Sequence, residues 1–167
     1  MNKIFTILLL FVFTIIAQDK NKTIVDSKSG KTMLVGLCDR EAFTDTNFAW
    51  WFDSGYKFYH PDTNTIVQLE EVNKDFTITI VMGTWCSDSR REVPRFYKLL
   101  DKLNYPEEKI KLINVDRNKF GIDNNVDSLN IKLVPTFIVY NENGEMGRII
   151  EIPKESLEKD FLKILDK

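Results

Sequence analysis

The stretch from Asp75 to Asn104 constrains this chain more than any other. Phe76, Ile78, Ile80 and Met82 alternate with Thr77, Thr79 and Val81, a period of two that reads as a buried strand. Gly83-Thr84-Trp85-Cys86 ends it, and Ser87, Asp88 and Ser89 follow. Short polar side chains of this kind start helices by satisfying first-turn N–H groups. Val93, Phe96, Tyr97, Leu100 and Leu103 then recur at helical spacing, which predicts a helix over 87–104 with one apolar face. A strand joined by a helix to a second strand, Ile110 to Asp116, should pair with it in parallel through a right-handed crossover.

The remaining elements extend this unit. Arg117 to Ile131 is polar and mixed, with a short helix expected near Val126–Leu129. Val134-Pro135-Thr136 leads into a third strand, Phe137 to Tyr140. Asn141-Glu142-Asn143-Gly144 carries the composition of a hairpin turn, Met146 to Ile152 returns as a strand, and Lys154 to Leu165 reads as a terminal helix. Upstream, Asn21 to Lys31 is polar, contains Ser27, Ser29 and Gly30, and reads as a flexible leader. Met33 to Leu37 is a short apolar run ending at Cys38. Phe43, Asn47/Phe48 and Trp51/Phe52 share one helical face that packs onto the domain. Pro61 to Asn64 signals a turn, with Ile66, Leu69 and Val72 as one helical turn after it. The expectation is an α/β fold: a central mixed sheet with helices on both faces and an aromatic-rich N-terminal extension.

At 167 residues the chain suits one compact domain. Its formal net charge of -2 and pI near 5.5 give no support to an electrostatic grip on nucleic acid, which needs a basic face. Two cysteines and one histidine, His60, are too few for a zinc site. His60 precedes Pro61 in a polar stretch and reads as a surface turn residue. Lys3, the uncharged apolar run Ile4 to Ile16, and Ala17 before a polar stretch form a secretory signal pattern. The run is too short to span a bilayer comfortably, and no cysteine near Ala17 offers a lipid attachment point. Export, periplasmic or secreted, with no stable membrane anchor after cleavage is therefore expected. The organisation is a signal peptide over 1–17, a leader and aromatic extension over 18–74, and a domain over 75–167. In an oxidising compartment a Cys38–Cys86 disulfide is conceivable.

Trp85-Cys86-Ser87-Asp88-Ser89, set between a strand and a helix, resembles the Trp-Cys-x-x-Cys redox motif of thioredoxin-like proteins. Pro94 lies inside the helix where that family has a kinking proline, Val115-Asp116 ends the next strand as in the family, and Val134-Pro135-Thr136 is similar to its cis-proline loop. The resemblance implies a thioredoxin-like fold over 75–167 and thiol–disulfide exchange centred on Cys86. It implies no cofactor and no metal. Its partners would be protein disulfides and an external thiol reductant. Trp85, Val134 and Pro135 would contact substrate, with the backbone edge at Val134 holding an extended peptide by strand addition. Sulfur at a helix N-terminus meets unpaired N–H groups and the positive end of the dipole, which favour the attacking thiolate. Arg90 and Arg91 would add to that, and Asp88 would oppose it.

The departures matter equally. The motif's second cysteine is Ser89, and a hydroxyl cannot resolve a mixed disulfide. Ile80 and Leu112 stand where the family carries a buried carboxylate and its lysine. The Thr-x-x-Cys spacing of peroxiredoxins is also absent. Four readings stay open at this level: Cys86 as a monothiol resolved by an outside thiol, Cys38 as its resolving partner, a static Cys38–Cys86 bridge, and a non-catalytic binding or scaffold module.

Overall fold

The computed structural model describes residues 20–121 and 126–166; the signal-peptide reading of 1–17 lies outside the described residues. The strand read from the Phe76–Met82 alternation forms at Thr77–Met82 and lies inside a six-stranded sheet. In chain order the strands are β1 (Lys22–Val25), β2 (Thr32–Cys38), β3 (Thr77–Met82), β4 (Ile110–Asn114), β5 (Thr136–Asn141) and β6 (Gly144–Ile150). Their order across the sheet is β1-β2-β4-β3-β5-β6. β3 and β4 are parallel, as a helical crossover requires, and every other neighbouring pair is antiparallel. The helices are α1 (Thr46–Phe58), α2 (Thr63–Glu71), α3 (Ser87–Lys102) and α4 (Leu157–Leu165). This is the mixed, helix-flanked α/β sheet that the sequence predicted.

Helix starts follow the expected local chemistry. Asp45 and Asp62 accept from Asn47 and Thr65 N–H at the heads of α1 and α2, and Ser156 accepts from Lys159 N–H at the head of α4. α4 starts later than the sequence suggests because Lys154 and Glu155 instead donate their N–H groups to the Asp160 carboxylate.

Two expectations are corrected. The stretch read as a flexible leader is β1 and a turn: Gly30, at φ +68, lets the chain reverse, and its N–H reaches Asp26 O at 2.8 Å. β1 escaped notice because it is a sheet edge whose side chains are mostly exposed, so it needs no apolar alternation. Through β2, which pairs with β4, this segment joins the same sheet as the rest of the domain. Helices were also expected on both faces. Instead, buried residues of all four helices join the cluster against Ile78, Ile80 and Met82, including Phe48, Leu69, Phe96 and Phe161. The opposite face, with Val81, Ile113 and Val115, is covered by Val126, Val134 and their neighbours. The polar chain after β4 forms there only a 3-10 turn at Asp127–Leu129 among the described residues.

α1 and α3 pack closely through Gly55 and Pro94. A Cβ on Gly55 would stand 2.6 Å from Pro94 Cγ and 3.2 Å from its Cβ. Pro94, inside α3, also lacks the N–H that would bond to Arg90 O. Arg40 clamps the same junction, forking onto Asp101 at 2.9 and 2.8 Å and lying 5.1 Å from the Tyr56 and Tyr97 ring centres. Glycine to alanine in a helix ordinarily gains about 1 kcal/mol, but a methyl forced against a rigid ring costs about 1–3 kcal/mol. Gly55→Ala should therefore lower the chemical-denaturation midpoint. An unchanged or raised midpoint would show that α1 is not seated on Pro94.

Candidate active site

Cys86 sits at the N-cap of α3, where the chain leaves β3. Its N–H donates to Gly83 O at 2.9 Å, its O accepts from Arg90 N–H at 3.1 Å, and its side chain is half-buried. The thiol donates to Val134 O at 3.2 Å. The Val134–Pro135 peptide is cis. The strand-to-helix turn and the Val134–Pro135 loop, 48 residues apart in sequence, thus meet at the sulfur.

Trp85 is held beside them by three contacts. Its Nε1 donates to Val115 O at 2.8 Å. The Arg117 guanidinium lies 5.0 Å from its ring centre. Its indole rests where a Cβ on Gly83 would be, 2.5 Å from Nε1, so only glycine fits at 83. Arg117 is itself fixed by a fork onto Asp26, at 2.8 and 2.7 Å. That fork holds the Asp26 carboxyl well below the usual carboxylate range, with Ser29 adding a second hydrogen bond. Asp26 therefore stays charged at neutral pH, and the pair weakens only in acid. Arg117 also lies within electrostatic reach of Cys86. Thr84 Oγ1 accepts from Leu34 N–H at 3.1 Å, tying β2 to the same turn.

Sequence reasoning missed Asp26 and Arg117. They lie 91 residues apart, and no spacing links them. A signal did exist: Asp-Ser-Lys-Ser-Gly over 26–30 is turn composition between two short runs of strand-forming residues.

Of the candidate residues, Cys86, Trp85, Val134 and Pro135 come together. Ser89 is also present, but its side chain is fully buried and Oγ accepts from Gly83 N–H at 3.3 Å. It anchors the turn from beneath. Cys38 is elsewhere. The Leu34 end of β2 meets the motif through Thr84, and Cys38 lies four residues further along the strand, about 13 Å away at strand rise. Cys38 faces the helix-side cluster beside Leu112, whereas Cys86 packs against the cluster on the other face. A disulfide needs Cα atoms within about 7 Å, so this fold does not bring the two together, and both thiols are free. The bridge and the resolving-pair readings are corrected accordingly. Burial pushes the Cys38 thiol up to about 11.

A mixed sheet whose central parallel strand turns into a helix at a half-exposed cysteine, with a cis-proline loop against the sulfur, defines a thioredoxin-like thiol protein. The chain belongs to the thioredoxin family: its family model, described as Thioredoxin, matches residues 53–161. Thioredoxin H2 of Arabidopsis thaliana is 28% identical over 100 residues, which cover 58% of this chain and 68% of that protein. A crystal structure of a protein of unknown function from Pseudomonas aeruginosa aligns with a TM-score of 0.50 at 15% identity. The alignment covers 71% of this chain and 81% of that one, a likeness of fold alone. Thiol–disulfide redox chemistry is the general activity that a thioredoxin-like domain suggests.

The burial of Cys38 generates a pH prediction. Between its ordinary value of 9.0 and about 11 the unfolded chain releases this proton and the native chain keeps it. Its contribution to native stability is therefore complete below pH 9 and is lost as pH rises through that window. Cys38→Ala should cost roughly 1 kcal/mol at pH 7, with the gap to the parent narrowing from pH 9 to 11 in denaturant titrations. In the native parent at pH 7, iodoacetamide should label Cys86 and spare Cys38. Equal labelling, or a constant gap across the window, would contradict the buried placement.

Proposed function

We propose that this protein is a monothiol disulfide exchanger, of reductase or isomerase type, acting on protein disulfides in the cell envelope. The observation that carries the reading is the setting of the Cys86 sulfur. It is half-exposed at the head of α3 and bonded to Val134 O, with no second sulfur in reach. In the first step the Cys86 thiolate attacks one sulfur of a substrate disulfide. A bond forms between the Cys86 sulfur and that sulfur, the substrate S–S bond breaks, and the other substrate sulfur leaves as thiolate and takes up a proton. The α3 N-terminus sets positive potential around the negative charge that moves across these sulfurs, and Arg117, paired with Asp26, lies within electrostatic reach of Cys86.

The second step needs a thiol from outside. An external thiolate attacks the Cys86 sulfur of the mixed disulfide and releases the substrate as a second thiolate, leaving that thiol joined to Cys86. A further external thiol frees Cys86 and forms the oxidised reductant. Two electrons pass from two external thiols to one substrate disulfide, and the protein is unchanged. An extended substrate would lie between Trp85 and the Val134–Pro135 segment, in the manner of strand addition. The apolar N-terminal run supports the envelope location.

Turnover of a disulfide-bonded protein substrate, with a small thiol supplied, tests this. Cys86→Ser should abolish turnover, and Cys38→Ser should leave at least about half of it, since nothing in the cycle uses Cys38. Residues three apart in a helix have Cα atoms at roughly the separation a disulfide requires. Ser89→Cys should therefore create an internal resolving thiol, and mixed disulfide that accumulates on the parent at limiting thiol should no longer accumulate. A parent with no turnover, or a Cys86→Ser protein with full turnover, would leave the binding-module reading in place.

A further inference from the structure

A cleft of about 540 Å³ opens beside Trp85, between the β1–β2 turn and α1. Asp26 and Lys31 line it from the turn, Asn47 and Trp50 from α1, and Arg90 and Arg117 from the motif side. Asp26 and Arg117 neutralise each other in their fork. Lys31 and Arg90 have no side-chain hydrogen bond or ion pair among the described residues. The cleft therefore presents two uncompensated cations. It also presents an indole that the fold leaves open: Trp50 is 64% exposed, although its neighbours Trp51 and Phe52 are buried. Arg90 stands one turn of α3 beyond Cys86, with its N–H on Cys86 O. A turn advances about 5.4 Å and an extended chain about 3.3 Å per residue. A peptide whose sulfur reaches Cys86 thus enters the cleft about two residues away.

We propose that this cleft is a specificity subsite for an acidic segment of the substrate protein that begins about two residues from the cysteine that Cys86 attacks. Carboxylates of that segment pair with Lys31 and Arg90, and an apolar side chain between them lies on Trp50. The proposal rests on the exchange reading for the direction in which the peptide runs. The charge complementarity rests on the cleft alone. The subsite is built by the N-terminal segment, because the turn after β1 supplies one wall and α1 the other. In an extended peptide, carboxylates two residues apart point to one side and the residue between them to the other, so the acids face the two cations while the middle side chain faces the α1 wall that carries Trp50.

The test separates the subsite from the chemistry. Two peptides with blocked termini, Ser-Gly-Glu-Phe-Glu and Ser-Gly-Lys-Phe-Lys, carry no thiol and are titrated calorimetrically into the Cys86→Ser protein at low salt. The Glu peptide should bind the more tightly. Lys31→Glu and Arg90→Glu should each weaken it by about fivefold, the range of one half-exposed ion pair. The double reversal should make the Lys peptide the preferred one, and Trp50→Ala should weaken both peptides. The preference should shrink as salt screens the pairs. Equal binding of the two peptides, or a preference that both reversals leave unchanged, overturns the subsite. Because neither probe nor protein can exchange, a Cys86 found inert in the turnover assay would sink the exchange reading without touching this result.

Discussion

Everything about this molecule depends on burying β3 completely on both faces. Ile78, Ile80, Val81 and Met82 expose no surface, so the sheet needs cover on two sides, and the two covers are unequal. One is a layer of four helices rich in aromatic rings, among them Phe48, Phe52, Phe96 and Phe161. The other, among the described residues, is a loop layer in which Val126, Val134 and Trp85 take the place of a helix. The strand's end is the point where the two covers meet. The chain must leave β3 there and climb into the helical layer, and Cys86 is the residue at that crossing. Its contact with Val134 sets the loop that covers Val81 and Ile113 against the sulfur.

Electrostatics then fixes what packing leaves loose. The β1–β2 turn makes few apolar contacts, yet Asp26 is almost wholly buried because Arg117 and Ser29 satisfy its oxygens. A buried carboxylate survives only when paired in this way. The consequence reaches the site, because the same guanidinium lies on Trp85. A charge pair between an edge turn and a loop thus orients the ring beside the cysteine. On the other side of the molecule Glu158, also buried, accepts from Tyr59 OH at 2.5 Å and Asp62 N–H at 2.9 Å. It joins α4 to the α1–α2 connection by the same logic.

How far these features were legible depends on whether their cause was local. The β3–α3 turn was legible because alternation, a break and helix-starting residues sit within thirty positions of one another. The hairpin of β5 and β6 was legible from Asn141 to Gly144, and the cis loop from Val134-Pro135-Thr136. β1 was not, since an exposed edge strand leaves no hydrophobic period to read. The one-sided helix layer was not either: the sequence shows which face of each helix is apolar, but not which side of the sheet it meets. Cys38 misled for a similar reason. Sequence shows that two sulfurs exist, whereas the direction of β2, set by its pairing with β4, decides that one is carried away from the other. Asp26 and Arg117 illustrate the limit: each is an ordinary charged residue until the fold closes the gap between them.

The isolation of the two sulfurs has a consequence for the protein's own oxidation. A chain with a nearby pair of cysteines records oxidation internally, as a change of shape with the loss of only two hydrogens. Here one thiol is sealed in the core and the other faces outward alone. The folded protein therefore cannot store an oxidising equivalent as an internal disulfide. Any disulfide it forms adds another molecule to it, so its redox history is written in its molecular weight.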